Sequence, residues 1–83
     1  MKYYIHTPKQ LSSALKGRRK ELHKTQHEVA ESVGMLQKTV SKLENHAESS
    51  SVENLLKLIS ALGYRITLEP RNSAAQNGQE LEW

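Results

Sequence analysis

The sequence contains no cysteine, and it has only two prolines and one tryptophan among its 83 residues. Without cysteine, neither a disulfide framework nor a thiolate metal site can form, which fits a reducing cytosol. The apolar runs are too short to cross a membrane, and the first residues do not read as a secretion signal. We therefore expect one small domain that resides in the cytoplasm and does not associate with membranes.

Positive charge is concentrated in the first third of the chain. The formal net charge of the whole sequence is +3. Residues 1–24 hold seven Lys and Arg side chains against Glu21 alone, a net charge of +6, whereas residues 45–83 have a net charge of −2. A basic half is typical of a protein with a polyanionic partner, and an ordinary solvated helix face has the same composition. Charge alone leaves both interpretations open.

Residues 25–44 are the most informative segment, because they have the pattern of two short helices separated by one glycine. Thr25 and Glu28 have the spacing of a capping box, which begins the first helix. Gly34 can adopt the left-handed conformation that ends this helix and turns the chain. The segment therefore predicts a helix-turn-helix motif.

The second helix of this motif has only two strongly apolar positions, Val40 and Leu43. The remaining positions offer amides, ammonium groups and hydroxyls to solvent: Gln37, Lys38, Thr39, Ser41 and Lys42. Such a face suits contacts to phosphates and to the edges of bases. DNA binding is therefore the first function that the sequence indicates.

Two further helices flank the motif. The first is predicted to begin at Thr7 and Pro8 and to run to about His23, with one apolar face formed by Leu11, Ala14, Leu15 and Leu22. After a polar loop over residues 45–49, a fourth helix is capped by Ser50 or Ser51 and ended by Gly63. Its predicted buried face consists of Val52, Leu55, Leu56, Ile59 and Leu62.

The segment from Tyr64 to Glu69 alternates as a β-strand does, with Tyr64, Ile66 and Leu68 on one side, and Pro70 stops it. A lone strand needs a partner for its backbone groups. Residues 2–6, which are also strand-like, or a second copy of the chain could supply one. We favour pairing across a dimer axis, because helix-turn-helix proteins commonly dimerise to read two half-sites.

The end of the chain differs in composition from the rest. Residues 71–80 are polar without periodicity and are expected to be disordered. We therefore divide the chain into a DNA-binding and dimerisation domain, residues 1–69, and a tail, residues 70–83. The tail ends in Leu81-Glu82-Trp83, which either folds back onto the domain or binds a pocket of another protein through Leu81 and Trp83.

The stretch from Leu11 to Gly63 resembles the Cro/C1 repressor-type helix-turn-helix family. The residues that carry the resemblance are Thr25-Gln26, Glu28, Ala30, Gly34, Thr39-Val40-Ser41, Leu43-Glu44, Ser51, Leu55-Leu56 and Ala61-Leu62-Gly63. It implies a mainly α fold of four to five helices, with a short C-terminal strand that pairs across a dimer. Arg19 and Glu44 resemble the internal ion pair of that family.

The flanking segments resemble the HipB-type antitoxins, the partners of HipA serine/threonine kinases. Residues 5–11, the predicted strand and the ending Leu81-Glu82-Trp83 carry this resemblance. It implies a dimeric, nucleoid-associated antitoxin of a type II toxin–antitoxin system. Such a protein binds a palindromic operator of its own operon and holds the kinase inactive.

The same resemblance assigns DNA contacts by position. Gln37 and Lys38 are expected to reach base edges, and Gln26 to clamp the DNA backbone. Lys42, Thr39 and Ser41 are expected to reach bases or backbone oxygens. Leu36 departs from the family, which usually has a polar residue there, and its side chain is suited to a thymine methyl group.

Other functions are less well supported by the residues. His23 and His27 have metal-ligand spacing, but a predicted helix boundary lies between them and no third ligand is evident. No catalytic constellation or glycine-rich phosphate loop is present, so we expect no enzymatic activity, no metal and no cofactor. Arg18, Lys20 and Lys24 are interpreted as solvated helix charges.

Two alternatives to the antitoxin remain open. One is a stand-alone repressor or restriction-control protein, which explains the four helices but neither the strand nor the tail. The other is an interaction scaffold that no longer binds DNA, against which Lys38 and Lys42 argue.

Overall fold

The computed structural model describes residues 2–71, which form four α-helices and one short 3₁₀ helix. The elements are α1 (Pro8–Glu21), α2 (Gln26–Ser32), α3 (Gln37–Asn45), the 3₁₀ helix (Ala47–Ser49) and α4 (Val52–Ala61). The mainly α fold predicted from the sequence is confirmed. None of the helices within residues 2–71 is long and apolar enough to cross a membrane.

Side-chain caps begin three of the four α-helices. The hydroxyls of Thr7, Thr25 and Ser51 accept hydrogen bonds from backbone N–H groups three residues further on, at 3.2, 3.0 and 3.1 Å. Each bond satisfies one of the N–H groups that a helix start leaves without an intrahelical partner. The caps therefore set where α1, α2 and α4 begin.

Residues with positive φ follow three of the four α-helices, α1, α2 and α4. Gly34, with φ of 67°, and Gly63, with φ of 78°, follow α2 and α4, as the sequence predicts. Helix α1 ends at Glu21, slightly before the predicted end, and His23 adopts a φ of 58° in the turn that follows. This turn separates His23 from His27, so the two do not share one continuous helix.

One buried cluster joins the four helices. It consists of Leu15, Val29, Ala30, Val40, Leu43, Leu58, Ile59 and Leu62. The buried face predicted for α4 is partly wrong, because Val52 and Leu56 are 69% and 47% exposed whereas Leu58 is fully buried. Helix α4 is apolar on more than one side, and the side that joins the core is the one with Leu58 and Ile59, which Leu62 continues beyond the end of the helix.

The buried hydroxyl of Ser12 connects α1 to the segment after α3. It donates a hydrogen bond to the carbonyl of Leu43 at 2.9 Å and accepts one from the N–H of Ala47 at 3.0 Å. The segment over residues 45–49, predicted as a polar loop, contains regular secondary structure. Asn45 completes α3, and the next residues form the 3₁₀ helix.

Arg18 contacts the residues that directly follow α4. Its Nε donates a hydrogen bond to the carbonyl of Leu62 at 2.9 Å, and its guanidinium lies 5.0 Å from the centre of the Tyr64 ring. The ring of Tyr3 meets that of Tyr64 edge-on, with 6.1 Å between centroids. The interpretation of Arg18 as a solvated helix charge is therefore wrong.

Residues 64–71 have no regular secondary structure in the single chain, and residues 2–6 have none either. The two segments touch through the Tyr3 and Tyr64 rings, but within residues 2–71 they do not pair as strands. The strand predicted for Tyr64–Glu69 and its pairing across a dimer axis thus stay predictions.

Candidate DNA-binding surface

Helices α2 and α3 border a shallow concave surface of about 620 Å³ that is largely open to solvent. Its lining consists of Gln26, Leu36, Gln37, Lys38 and Ser41. The structure thus brings together five of the seven side chains that the sequence assigns to DNA. The other two also lie on α3, where Thr39 is half-buried and Lys42 is exposed.

Gln26, the first residue of α2, is held by a carboxylate beneath this surface. Its Nε2 donates a hydrogen bond to Oε1 of Glu44 at 3.1 Å. Glu44 is only 4% exposed, so this contact fixes the amide at one edge of the concave surface. A side chain held in this way loses little further freedom when it binds a ligand.

The carboxylate of Glu44 is itself paired with Arg19. Nε of Arg19 donates to Oε2 at 2.6 Å, and Nη2 donates to Oε1 at 3.1 Å. The hydrogen bond with Glu44, together with the negative charge of that carboxylate, raises the pKa of Arg19 in spite of partial burial. The internal ion pair implied by the family resemblance is therefore present.

The same guanidinium also reaches the turn between α1 and α2. Nη1 of Arg19 donates to the carbonyl of Lys24 at 2.8 Å. Arg19 thus connects α1, the turn and, through Glu44, α3. Because the concave surface lies between α2 and α3, this network sets the relative position of its two sides.

The amino end of α2 is fixed by a reciprocal cap. The N–H of Thr25 donates to Oε1 of Glu28 at 2.8 Å, and the N–H of Glu28 donates to the hydroxyl of Thr25. The bond from the Thr25 backbone lowers the pKa of Glu28. The capping box predicted from the sequence is present, and it fixes the first turn of α2 next to Gln26.

The cations of α3 are available to an external partner. Lys38 and Lys42 are exposed, and neither pairs with a carboxylate of residues 2–71. Lys57 on α4, by comparison, lies 3.7 Å from Glu53. An exposed lysine ammonium group can donate hydrogen bonds to phosphate oxygens and to the acceptors of guanine.

The residues predicted to mediate dimerisation differ in their surroundings. Ile66 and Leu68 are 52% and 92% exposed. Tyr64 is half-buried against its own chain, and desolvation is the main cause that raises its pKa. Leu81 and Trp83, predicted to bind a partner, lie outside the described residues.

Within the described residues, His23 and His27 do not belong to a group of side chains that could bind a metal ion. Nε2 of His27 lies 3.6 Å from Glu31, and His23 lies in the turn after α1. Nowhere within residues 2–71 do three or more His, Asp or Glu side chains approach closely enough to hold a metal ion.

Comparison with known proteins agrees with this geometry. A family model described as helix-turn-helix matches residues 15–68. A protein of Escherichia coli O6:H1 named antitoxin HipB is 34% identical over 82 residues, which cover 95% of this chain and 87% of that protein. The chain belongs to the helix-turn-helix family of the HipB antitoxins.

Solved structures of HipB have the same fold. The match to a chain of a HipA-HipB-O2-O3 complex has a TM-score of 0.80 at 30% identity, and covers 86% of this chain and 100% of that chain. A chain of a HipB-O4 20mer complex matches with the same TM-score, identity and coverage. The residues that line the concave surface all lie within the stretch matched by the family model.

Proposed function

We propose that this chain is the antitoxin of a type II toxin–antitoxin system. It binds a palindromic operator of its own operon as a dimer and neutralises a HipA-like serine/threonine kinase. The observation that carries the proposal is the concave surface between α2 and α3, with Gln26 fixed by Glu44 and Lys38 paired with no carboxylate of residues 2–71. HipB chains of the same fold occur in complexes with HipA and with a 20mer, which favours an antitoxin over a stand-alone repressor.

The DNA contacts follow from the chemistry of each side chain. Gln37 pairs bidentately with adenine, and Lys38 donates to the acceptors of guanine in the major groove. The fixed amide of Gln26 binds a backbone phosphate. Thr39, Ser41 and Lys42, further along α3, contact base edges or backbone oxygens.

Dimerisation uses the segment after α4. Ile66 and Leu68 are exposed. With Tyr64 they form one side of the predicted strand, whose backbone pairs with that of a second copy. Val52 and Leu56 leave further apolar surface exposed on α4, which a second copy can cover. Such a dimer places two copies of α3 about 34 Å apart, so that each enters a successive major groove.

The kinase binds through a surface other than α3. The proposed domain of residues 1–69 carries the DNA and dimer contacts, whereas residues 70–83 form a tail that ends in Leu81 and Trp83. A large aromatic ring at the end of a polar segment suits a pocket on a partner protein. The chain itself has a binding role rather than an enzymatic one, uses no cofactor, and acts on nucleoid DNA in the cytoplasm.

Affinity purification from the native cells tests this proposal. The tagged chain is compared with a version that ends at residue 71 and with the Trp83→Ala variant, and bound proteins are identified by mass spectrometry. We expect the full chain to recover a HipA-like kinase and both variants to lose most of it. Recovery of promoter DNA without any kinase would instead support a stand-alone repressor.

A further inference from the structure

Helix α3 is the only α-helix of residues 2–71 that begins without a side-chain cap. Thr7, Thr25 and Ser51 cap the other three, whereas the N-cap residue of α3 is Leu36, whose side chain makes no capping hydrogen bond. Leucine is among the least favourable residues at an N-cap, where serine, threonine, aspartate and asparagine are preferred. The sequence therefore gives up helix stability at this position.

The side chain of Leu36 makes no visible contribution to the core. It is 63% exposed. The preceding residue, Met35, has the position of a hydrophobic staple towards Val40 and packs against the core, which Leu36 does not. Within the described stretch from residue 6 to residue 51, Leu36 is the only large apolar side chain that is exposed.

The neighbours of Leu36 define what it faces. It lines the concave surface together with four polar side chains, those of Gln26, Gln37, Lys38 and Ser41. A polar surface with one branched apolar group is complementary to a base edge that carries hydrogen-bonding atoms and one methyl group. In the major groove of DNA, only thymine presents such a methyl, at C5.

We infer that Leu36 determines specificity by packing against the C5-methyl group of a thymine at one position of each half-site. The inference rests on the proposed DNA binding and goes beyond it by naming the chemical group that is read. It explains why α3 begins on an exposed leucine, because serine, aspartate and asparagine at a cap offer no apolar surface for the methyl, and threonine offers only a single methyl group. Helix stability and base discrimination therefore respond in opposite directions to a change at Leu36.

The Leu36→Ser variant tests the first half of this relationship. Serine restores the cap, so the melting temperature is expected to rise by about 4–8 °C. The matched control is Leu36→Met, which keeps a flexible apolar side chain and supplies no cap acceptor. Its melting temperature is expected to stay within about 2 °C of that of the unmodified chain.

Thymine-to-uracil replacement tests the second half, because uracil keeps the base pair and lacks only the methyl. A duplex selected by the unmodified chain from random sequences is resynthesised with deoxyuridine at one thymine position at a time in both half-sites, and dissociation constants are measured. At one position we expect binding to weaken about four-fold for each half-site. Leu36→Met keeps this difference, and Leu36→Ser abolishes it.

Two results would overturn the inference while leaving DNA binding intact. One is tight, selective binding of the unmodified chain with no thymine position sensitive to uracil. The other is a Leu36→Ser variant that retains the full sensitivity. If the unmodified chain selects no sequence at all, the proposed operator binding fails, and this inference fails with it.

Discussion

Two hydrogen bonds, of 2.6 and 3.1 Å, join the guanidinium of Arg19 on α1 to the carboxylate of Glu44 on α3. The same carboxylate accepts a hydrogen bond from the side chain of Gln26 on α2. One buried anion therefore connects the three helices that build and support the concave surface. Stability and the position of a proposed phosphate contact depend on the same pair.

Removing one partner of this pair is expected to be severe. Arg19→Met leaves the carboxylate of Glu44 buried without a counter-charge, so the free energy of unfolding should fall by about 3–5 kcal/mol. Urea denaturation monitored by circular dichroism measures it. The double variant Arg19→Met/Glu44→Leu removes both charges and should recover most of the loss; a double variant as unstable as the sum of the two single variants would contradict the account.

Arg18 gives a second, milder prediction. Arg18→Met removes the hydrogen bond to the carbonyl of Leu62 and the contact with the ring of Tyr64. We expect a loss of about 1.5–3 kcal/mol in the free energy of unfolding, because a charged donor satisfies a partly buried carbonyl there. Lys20→Met on the same helix, at an exposed site, is the control and should change stability by less than about 0.5 kcal/mol.

The exposed ammonium of Lys38 should matter for DNA and not for folding. Lys38→Gln is expected to weaken operator binding by about 1–3 kcal/mol and to relax the preference at one base pair, because lysine donates to guanine. Fluorescence anisotropy with the operator and with single-base variants measures both effects. Lys57→Gln, which removes a cation paired with Glu53 on α4, should bind as the unmodified chain does; equal losses for the two variants would count against α3 as the reading helix.

The capping box of α2 makes stability depend on pH. The backbone N–H of Thr25 lowers the pKa of Glu28 below its ordinary value of 4.5. The stabilisation by this carboxylate is therefore fully present above the pKa of the unfolded chain, and it is lost as the pH falls through the lower pKa of the folded chain.

The Glu28→Gln variant measures this dependence. It should melt at a lower temperature than the unmodified chain near neutral pH, and the difference should shrink between about pH 5 and pH 3. Melting curves across this range provide the test, with Glu69→Gln, an exposed glutamate outside the helices, as the control. A difference that stays constant with pH would show that the charge of Glu28 has no part in the cap.

The elements that local patterns specify were predictable from the sequence. Thr25, Glu28 and Gly34 identify the ends of α2, because capping and left-handed turns depend on residues close in the chain. The residues of the concave surface were assigned through the resemblance to the Cro/C1 repressor-type family, which implies by position in the motif which side chains face DNA.

Tertiary contacts decided what the sequence pattern left open. In α4, the predicted face through Val52 and Leu56 and the observed one through Leu58 both have helical spacing, and only packing against the other helices selects between them. Arg18 and Ser12 were not identified as structural, since their partners, Leu62 and Leu43, lie 44 and 31 residues away. A polar side chain gives no local sign of a distant carbonyl.

We propose that one dimer binds operator DNA and a HipA-like kinase at the same time, through different surfaces. The most direct measurement is the mass of the complex, by light scattering during size-exclusion chromatography, when the kinase is added to the chain already bound to its operator. The account predicts one species that contains DNA, two copies of this chain and kinase, and a Lys38→Gln variant that still binds the kinase. Release of the DNA when the kinase binds, or a single copy of the chain on the operator, would contradict it.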